Sequence, residues 1–323
     1  MKNEDKIEII EPKKQINLYG YDYYFNFLLN LYRKDKLPNA ILLNGQKGIG
    51  KATLSYHFIN YLLSEGEENA YSLKNFSINA NNKTFNLINN NIHPNFFLMD
   101  SLIDGDQIKI DQSRNLIKFL SKTTYSKNIK FILIDNVESL NSNSSNAILK
   151  VLEEPAKNTH FLIIQNNFHK VLDTIKSRCL TFNVNFSLDE KKKIFNEVSK
   201  NYKLNIKNSI YDKFLYFDTC GNFLRYLISL NDTNYDITKD HIDCISFFID
   251  KYKKNNDKNL LNFITLFIEI FYHELLLNSD TLINEHFNNK QKLLHLIRDT
   301  KEFHLDTKNM FFTIDKVIRN EKR

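Results

Sequence analysis

Residues 40–52 of the chain read Ala-Ile-Leu-Leu-Asn-Gly-Gln-Lys-Gly-Ile-Gly-Lys-Ala and decide the fold. The run Ala40 to Leu43 is apolar and short, as expected of a buried strand. Three of the seven glycines in the chain follow it: Gly45, Gly48 and Gly50. Glycines at this spacing let backbone N–H groups curl around phosphate oxygens, and Lys51 would reach the β- and γ-phosphates. Because a helical pattern begins at Lys51, the stretch predicts a nucleotide-binding P-loop.

The P-loop departs from the pattern GxxxxGK[ST] at its last position, which is Ala52. A Ser or Thr hydroxyl at that position normally binds Mg²⁺, and alanine has no oxygen to offer. Thr53 follows, but it lies about 100° further around a helix and does not substitute simply. We therefore expect a P-loop that lacks its usual metal ligand.

The second half of a nucleotide site is predicted on the apolar run Phe131 to Asp135, which has the form of a Walker-B strand. The carboxylate at the end of such a strand belongs to the metal shell. In P-loop proteins that hydrolyse ATP the next residue is usually a glutamate that polarises water, whereas this chain has Asn136, which takes up no proton. Glu138 is near in sequence but out of place. Two defects, Ala52 and Asn136, predict a catalytically dead site.

The first half of the chain alternates apolar runs with helical patterns, as βαβ units do. After Ala40 to Leu43, the expected strands are Phe96 to Met99, Phe131 to Ile134, His160 to Ile164 and Leu180 to Val184. Short parallel strands joined by crossover helices predict an α/β fold with a doubly wound parallel sheet. Ligands of such sheets bind at the carboxyl ends of the strands.

After Asn185 the strand signals fade and helical patterns take over. Ser187 begins a capping box with Glu190, residues 231–239 have the composition of a linker, and the pattern from His241 onward is all helical. We divide the chain into three domains on this basis. They are an α/β P-loop domain at 1–185, a small helical domain at 186–232 and an all-α domain at 233–323.

The composition is that of a globular protein, with 42% hydrophobic residues and a formal net charge of +6. The mild positive charge fits weak attraction to nucleic acid as well as it fits a lysine-rich soluble protein. The start, Met1 to Lys6, is charged and lacks the apolar region of a signal peptide. Glu269, His273 and Glu274 interrupt the apolar stretch Asn262 to Leu277, so we expect it to be buried against helices rather than in a membrane. The expected location is the cytoplasm.

Two further motifs resemble those of a known protein family. The stretch Leu140 to Pro155 ends in Asn-Ala-Ile-Leu-Lys-Val-Leu-Glu-Glu-Pro, and Ser177-Arg178-Cys179 follows it. With Leu37-Pro-Asn-Ala40 and His93-Pro94, these motifs resemble the bacterial clamp-loader branch of the AAA+ proteins, the DNA polymerase III subunits, over about residues 20–185. The resemblance implies a RecA-like domain, a lid, and a helical collar that joins the subunits into a ring.

Within that branch, the defects favour a subunit that does not hydrolyse ATP. The gamma/tau type keeps a Thr or Ser after the P-loop lysine and a Glu after the Walker-B Asp, where this chain has Ala52 and Asn136. At the sensor 1 position, Gln165-Asn166-Asn167 replaces the threonine of hydrolysing subunits. The resemblance thus implies a stator-type subunit of the clamp loader.

Arg178 is the catalytic residue that the resemblance implies. The arginine of the Ser-Arg-Cys motif points into the ATP site of a neighbouring subunit, where a guanidinium neutralises charge on the γ-phosphate. The alternative is an arginine in a structural ion pair at a domain edge. Arg225, in Gly221-Asn-Phe-Leu-Arg225, stands where the family has its sensor-2 arginine, and a surface arginine without a ligand is an equal alternative.

The implied cofactors and partners follow from the same resemblance. No cofactor is required, weak ATP or ADP binding stays open, and no zinc is expected because residues 65–95 contain none of the cysteines of the family's zinc module. The partners are the gamma/tau and delta subunits, with the sliding clamp and primed DNA met through the assembled complex. An ATP-hydrolysing subunit of the gamma/tau type and a free-standing DNA-binding protein are the alternatives, although the latter needs clustered Lys and Arg, and the lysines here are scattered.

Overall fold

The structure is a computed structural model. It describes residues 9–104, 107–122, 129–166, 171–202, 208–231, 240–255, 258–278, 282–303 and 305–321. The chain forms two compact units. Of the described residues, 9–202 and Thr219–Asn222 belong to an α/β unit, and the remainder from 208 onward belongs to a helical unit.

The α/β unit is built on one sheet of five parallel strands. They are β1 (Ala40–Gly45), β2 (Phe96–Asp100), β3 (Lys130–Asp135), β4 (Thr159–Asn166) and β5 (Leu180–Asn183), in the spatial order β2-β3-β4-β1-β5. The central pairs are in parallel register, with Leu42 opposite Ile163 and Leu133 opposite Leu162. The predicted α/β P-loop fold with a parallel sheet is confirmed.

Helices cover both faces of this sheet. They are α1 (Asp22–Arg33), α2 (Lys51–Leu63), α3 (Lys83–Asn89), α4 (Ser101–Asp104), α5 (Ile110–Leu120), α6 (Ser142–Glu153), α7 (Asp173–Lys176) and α8 (Leu188–Asn201). Alternate residues of each strand enter opposite cores, as the two-residue period of a strand requires. Ile41 and Leu43 pack in the core that contains α1 and α2, whereas Leu42 packs with α5 and α6 on the other face.

The Asn-rich segment 65–95 contains α3 and a buried polar cluster. Asn82 is fully buried at the N-cap of α3, where its Oδ1 accepts from the backbone N–H of Phe85 at 2.7 Å. Its Nδ2 donates to Glu67 at 2.9 Å and to the carbonyl of Asn69 at 2.8 Å. These bonds satisfy both ends of the amide, and they order a segment whose composition carries little helix propensity.

The helical unit contains α9 (Asn208–Phe217), most of α10 (Cys220–Asn231), α11 (His241–Asn255), α12 (Lys258–Asn278), α13 (Ile283–Phe303) and α14 (Thr307–Glu321). The apolar α12 lies at its centre, with Phe263 stacked on Phe248 of α11 at 4.8 Å. The stretch Leu260–Asn278 has the length and hydropathy of a membrane span, but more than half of it is buried inside the unit, which is typical of a core helix.

The all-helical C-terminal region and the capping box at Ser187 and Glu190 are confirmed. The division of the chain into domains at 1–185, 186–232 and 233–323 stays a prediction. Its second boundary, and all but Asn231 of the predicted linker 231–239, lie outside the described residues. Asn231 itself is the last residue of α10.

Candidate functional site

The candidate site lies at the carboxyl ends of three neighbouring strands. Gly45 ends β1, Asp135 ends β3 and Asn166 ends β4. In the sheet register Gly45 is opposite Asn166, so the start of the P-loop and the end of β4 are adjacent. The parallel sheet therefore brings the P-loop and the Walker-B carboxylate to one edge, as expected of this class of fold.

The P-loop turns directly into α2, whose first residue is Lys51. Gly48 and Gly50 both have positive φ, of 82° and 110°. This is a conformation that side chains with a Cβ rarely adopt. The loop therefore has the backbone form that the glycine spacing predicts. It places Lys51 at the carboxyl edge of the sheet, where only 3% of the residue is exposed.

The ammonium group of Lys51 is bound by acceptors of its own chain. Nζ donates to the carbonyl oxygens of Gly45 and Gln46, both at 2.8 Å, and to Oδ1 of Asn166 at 3.1 Å. These three acceptors match the three donors of an ammonium group. The P-loop lysine is thus fully satisfied by the protein itself.

Asn166 links the lysine to the Walker-B side of the site. Its Nδ2 donates to Oδ1 of Asn136 at 2.9 Å and to Oε1 of Glu138 at 2.6 Å. Asn166, Asn136 and Glu138 therefore form one polar network with Lys51. The sequence placed Glu138 outside the site, and the short helical turn Val137–Ser139 brings it in.

Burial shifts the pKa values of two groups at this site, Lys51 and Asp135, in the direction that favours their neutral forms. Burial lowers the pKa of Lys51 to about 8, against the opposing effect of the Asp135 and Glu138 carboxylates. Burial also raises the pKa of Asp135 to about 6, and the nearby Asp100 carboxylate adds to that rise. Both shifts indicate that desolvation outweighs the attraction between lysine and carboxylates.

The segment Thr219–Asn222 lies directly against the P-loop within the α/β unit. The N–H of Gly221 donates to the carbonyl of Gly48 at 3.1 Å, and Thr219 Oγ1 donates to the carbonyl of Lys47 at 3.0 Å. Asn222 Nδ2 donates to the same Lys47 oxygen at 3.2 Å. A Cβ added to Gly221 would lie 2.4 Å from the Gly48 oxygen, so only glycine permits this approach. The outer side of the loop is therefore closed by the chain itself.

The site does not fit magnesium. Ala52 carries no oxygen at the position where the P-loop hydroxyl belongs, and the oxygen of Asn136 accepts a hydrogen bond from Asn166. Asp135 is the sole residue of the predicted metal shell with a carboxylate. Among the side chains that the structure describes, no group of three or more His, Cys, Asp and Glu residues is arranged to hold a metal ion.

Arg178 lies apart from this network, just before β5. Its Nη2 forms an ion pair with Oε1 of Glu153, the last residue of α6. Its Nη1 donates to the carbonyl oxygen of Thr174 at 2.8 Å and to Ser177 Oγ at 3.4 Å. The side chain keeps 32% of its surface exposed. The partner Glu153 was not foreseen, although it lies within the Leu-Glu-Glu-Pro motif.

The remaining sequence-predicted residues divide between the two units. The three P-loop glycines, Lys51, Ala52, Asp135 and Asn136 come together at the sheet edge, as described above. Arg225 is exposed on α10 in the helical unit. Cys179, the last residue of the Ser-Arg-Cys motif, is half-buried against the core that contains α5 and α6, and burial raises the pKa of its thiol to about 11.

Comparison with known proteins gives the family. Residues 22–187 match the family model described as DNA polymerase III, delta subunit. The subunit delta' of DNA polymerase III from Pseudomonas aeruginosa is 34% identical over 142 residues, which are 44% of this chain and 42% of that protein. The corresponding protein of Bacillus subtilis is 34% identical over 156 residues, covering 48% and 44%. The chain spans about half the length of the curated relatives it matches.

A gamma-type relative and a solved structure are also similar to the chain. The gamma subunit of Buchnera aphidicola subsp. Schizaphis graminum is 28% identical over 55% of this chain and 47% of its own length. A gamma subunit-related protein of Thermotoga maritima superposes with a TM-score of 0.49 at 18% identity, over 92% of this chain and 99% of that structure. Because the family match covers half of the chain and several relatives are delta' proteins, the chain belongs to the DNA polymerase III delta-subunit family, and within it to the delta-prime proteins.

Proposed function

We propose that the chain is a subunit of the DNA polymerase III clamp loader that does not hydrolyse ATP itself and donates Arg178 to the ATP site of a neighbouring subunit. In this role it helps to load the sliding clamp on primed DNA as the stator of the ring. Family membership supports the place in the complex. The observation that carries the non-hydrolysing role is the network in which Lys51 is bound by three acceptors of its own chain.

Hydrolysis of ATP needs a metal ligand after the P-loop lysine and a base that orients water. Ala52 supplies no ligand, and Asn136 takes up no proton. The Asn136 side chain is also committed to Asn166 at 2.9 Å. These three features support a site that is kept for the shape of the domain, and no cofactor, magnesium or zinc is part of the proposal.

Two properties support Arg178 as the donated residue. It lies in the Ser-Arg-Cys motif, and 32% of its side chain is exposed. An exposed ion pair such as that with Glu153 contributes only about 0–1 kcal/mol to stability, so a purely structural arginine would gain little there. A guanidinium presented to a γ-phosphate accelerates phosphoryl transfer by about 10³-fold or more. The same side chain is therefore worth far more to a neighbouring site than to its own domain.

The test is ATP hydrolysis by the assembled complex. The chain is combined with gamma/tau and delta subunits, and ATPase activity is measured with sliding clamp and primed DNA. We expect Arg178→Ala to assemble normally and to lose most of the ATPase activity of the neighbouring site. Arg114→Ala is the matched control, because Arg114 is an exposed arginine that pairs with Asp111 at 3.0 Å on α5. Unchanged partner activity with Arg178→Ala would overturn the donated role.

A hydrolysing subunit of the gamma/tau type is the second candidate. It has one observation in its favour, since Glu138 reaches Asn166 at 2.6 Å and so lies within the candidate site. The purified chain alone separates the two proposals. We expect background ATP hydrolysis, whereas turnover that is lost in Glu138→Gln would favour the second candidate.

The partners and location belong to the same proposal. We place the protein in the cytoplasm, in contact with gamma/tau and delta subunits, and with clamp and DNA through the complex. Co-purification with these subunits tests the assembly directly. A free-standing DNA-binding protein would instead bind primed DNA tightly without partners, with an affinity that falls steeply with salt.

A further inference from the structure

The contact between Glu153 and Arg178 joins two motifs that are separate in sequence. Glu153 is the last residue of α6, and the helix ends there because Pro155 disfavours helical backbone at Glu154. Arg178 follows the short helix α7, and its Nη1 donates to the carbonyl of Thr174 at 2.8 Å. The guanidinium is thus held from two sides, by a carboxylate at the end of one helix and a carbonyl near the end of another.

A glutamate at the end of α6 is unfavourable by itself. The C-terminus of a helix carries partial negative charge, which repels a carboxylate and favours a cation. Glu153 is half exposed, so solvation alone would suffice for its charge, and a neutral or basic residue would suit the helix better. The pairing with Arg178 offsets this repulsion, so the contact of Glu153 that matters is made outside its own helix.

The same contact orders a long and flexible side chain. Arginine loses substantial rotamer freedom when it is fixed, and a group that must meet a phosphate in one geometry gains from being ordered beforehand. Of the five guanidinium N–H groups, the contacts of Arg178 use three. The Nε hydrogen and the second Nη2 hydrogen have no acceptor among the residues that the structure describes. Two donors therefore remain for an acceptor outside the chain.

We propose that Glu153 is a positioning residue, which holds the Arg178 guanidinium in the orientation from which it enters the neighbouring ATP site. This inference rests on the proposed function of Arg178. The ion pair is exposed to solvent on both sides, with 32% and 50% of the two side chains accessible, so its effect is modest. Glu153 acts through Arg178 and touches no reacting atom.

The experiment compares Glu153→Ala, Glu153→Gln and Arg178→Ala in the assembled complex with clamp and primed DNA. We expect Glu153→Ala to lower kcat for ATP by about two- to fivefold, with KM for ATP unchanged, because the nucleotide is bound by another subunit. Glu153→Gln keeps an acceptor for Nη2 and should recover part of this loss. In the Arg178→Ala background, Glu153→Ala should cause no further loss, as a double-mutant cycle requires of a residue that acts through another.

The neighbouring Glu154, exposed and outside the contact, provides the matched control, and Glu154→Ala should leave kcat unchanged. Thermal unfolding of each variant checks the fold, and Glu153→Gln carries the test if Glu153→Ala does not fold. Full or raised activity of both Glu153 variants beside a defective Arg178→Ala complex overturns this inference alone. A loss that persists in the Arg178→Ala background also overturns it. Full activity of Arg178→Ala overturns the proposed function and this inference together.

Discussion

Asn166 donates to Asn136 and Glu138 while its own oxygen accepts from Lys51 at 3.1 Å. One buried amide thus connects the P-loop with the strand that carries Asp135. In an active site of this class, the lysine and the residues of the Walker-B strand meet on a bound nucleotide and its metal. Here a protein side chain makes the connection.

Asn166→Ala should destabilise the α/β unit by about 2–4 kcal/mol, because it leaves partly buried oxygens of Asn136 and Glu138, and a buried N–H of Lys51, without a partner. Urea unfolding measures the change. Asn183→Ala is the control, because Asn183 lies at the end of β5, is exposed, and accepts one side-chain bond from Asn44 at 2.9 Å. We expect the control to cost about 1 kcal/mol or less. Equal losses in both variants would contradict a central role for Asn166.

The pKa of Lys51 predicts a specific pH dependence. Between the folded value of about 8 and the ordinary value of 10.5, the unfolded chain binds a proton that the folded chain does not. The free energy of unfolding therefore rises with pH in this window, by up to about 1.4 kcal/mol per pH unit, and the cost of the buried charge is present in full below pH 8. Subtracting the pH profile of Lys51→Met isolates this contribution. A difference that is flat or falls between pH 8 and 10 contradicts the prediction.

Lys51→Ala should leave the function of the assembled complex nearly unchanged. The ammonium group is committed to Gly45, Gln46 and Asn166, and the proposed role requires no phosphate on this loop. Clamp-dependent ATPase activity with primed DNA is the measurement, on complexes whose composition has been checked. A severe loss of activity in a complete complex would show that this P-loop takes part in the reaction.

Gly221→Ala should lower stability, although it replaces glycine with alanine inside a helix. That exchange ordinarily stabilises an exposed helix by about 1 kcal/mol. At this position the new methyl group would lie 2.4 Å from the carbonyl oxygen of Gly48, which is backbone and cannot turn away. Overpacking of this kind costs about 1–3 kcal/mol. Thermal unfolding gives the sign, and a rise in Tm would refute the close approach of Gly221 to the P-loop.

Glu321→Ala should loosen the end of the helical unit. The Glu321 carboxylate accepts from His286, from Tyr272 at 3.1 Å and from Asn289 at 2.8 Å, and its side chain is 6% exposed. Its loss leaves the buried Tyr272 and His286 and the partly buried Asn289 without this acceptor, at a cost of about 2–4 kcal/mol. Hydrogen exchange should show faster exchange in α13 and α14. Glu302→Ala, an exposed glutamate near the end of α13, should leave both helices protected.

The sheet was predictable because each buried strand is a short apolar run with polar ends. Phe131 to Ile134 was expected, and the strand extends by one residue at each end, to Lys130 and Asp135. Helix α3 was not predicted, since Asn-rich sequence has low helix propensity. Its start depends on Asn82, whose partners Asn60 and Glu67 lie 22 and 15 residues away.

The P-loop was predictable from local spacing, and Ala52 and Asn136 are read directly from the sequence, whereas the contacts around them were not predictable. Asn166 lies 115 residues from Lys51, and Glu153 lies 25 residues from Arg178. Such separations in sequence produce no periodic pattern, because only tertiary folding brings these residues together. The sequence shows which usual metal ligand and glutamate are missing from the site, and the structure shows that Asn166 joins Lys51 to Asn136 and Glu138 there.

The bonds around the P-loop bear on the rigidity of the domain. Many nucleotide-binding domains gain stability when a ligand binds, so their rigidity varies with the ligand concentration. In this chain, Asn166 and the loop carbonyls hold Lys51, and Thr219–Asn222 covers the loop from outside. Under the proposed function these bonds order the domain without a bound nucleotide, and we expect its rigidity not to vary with the ATP concentration of the cell.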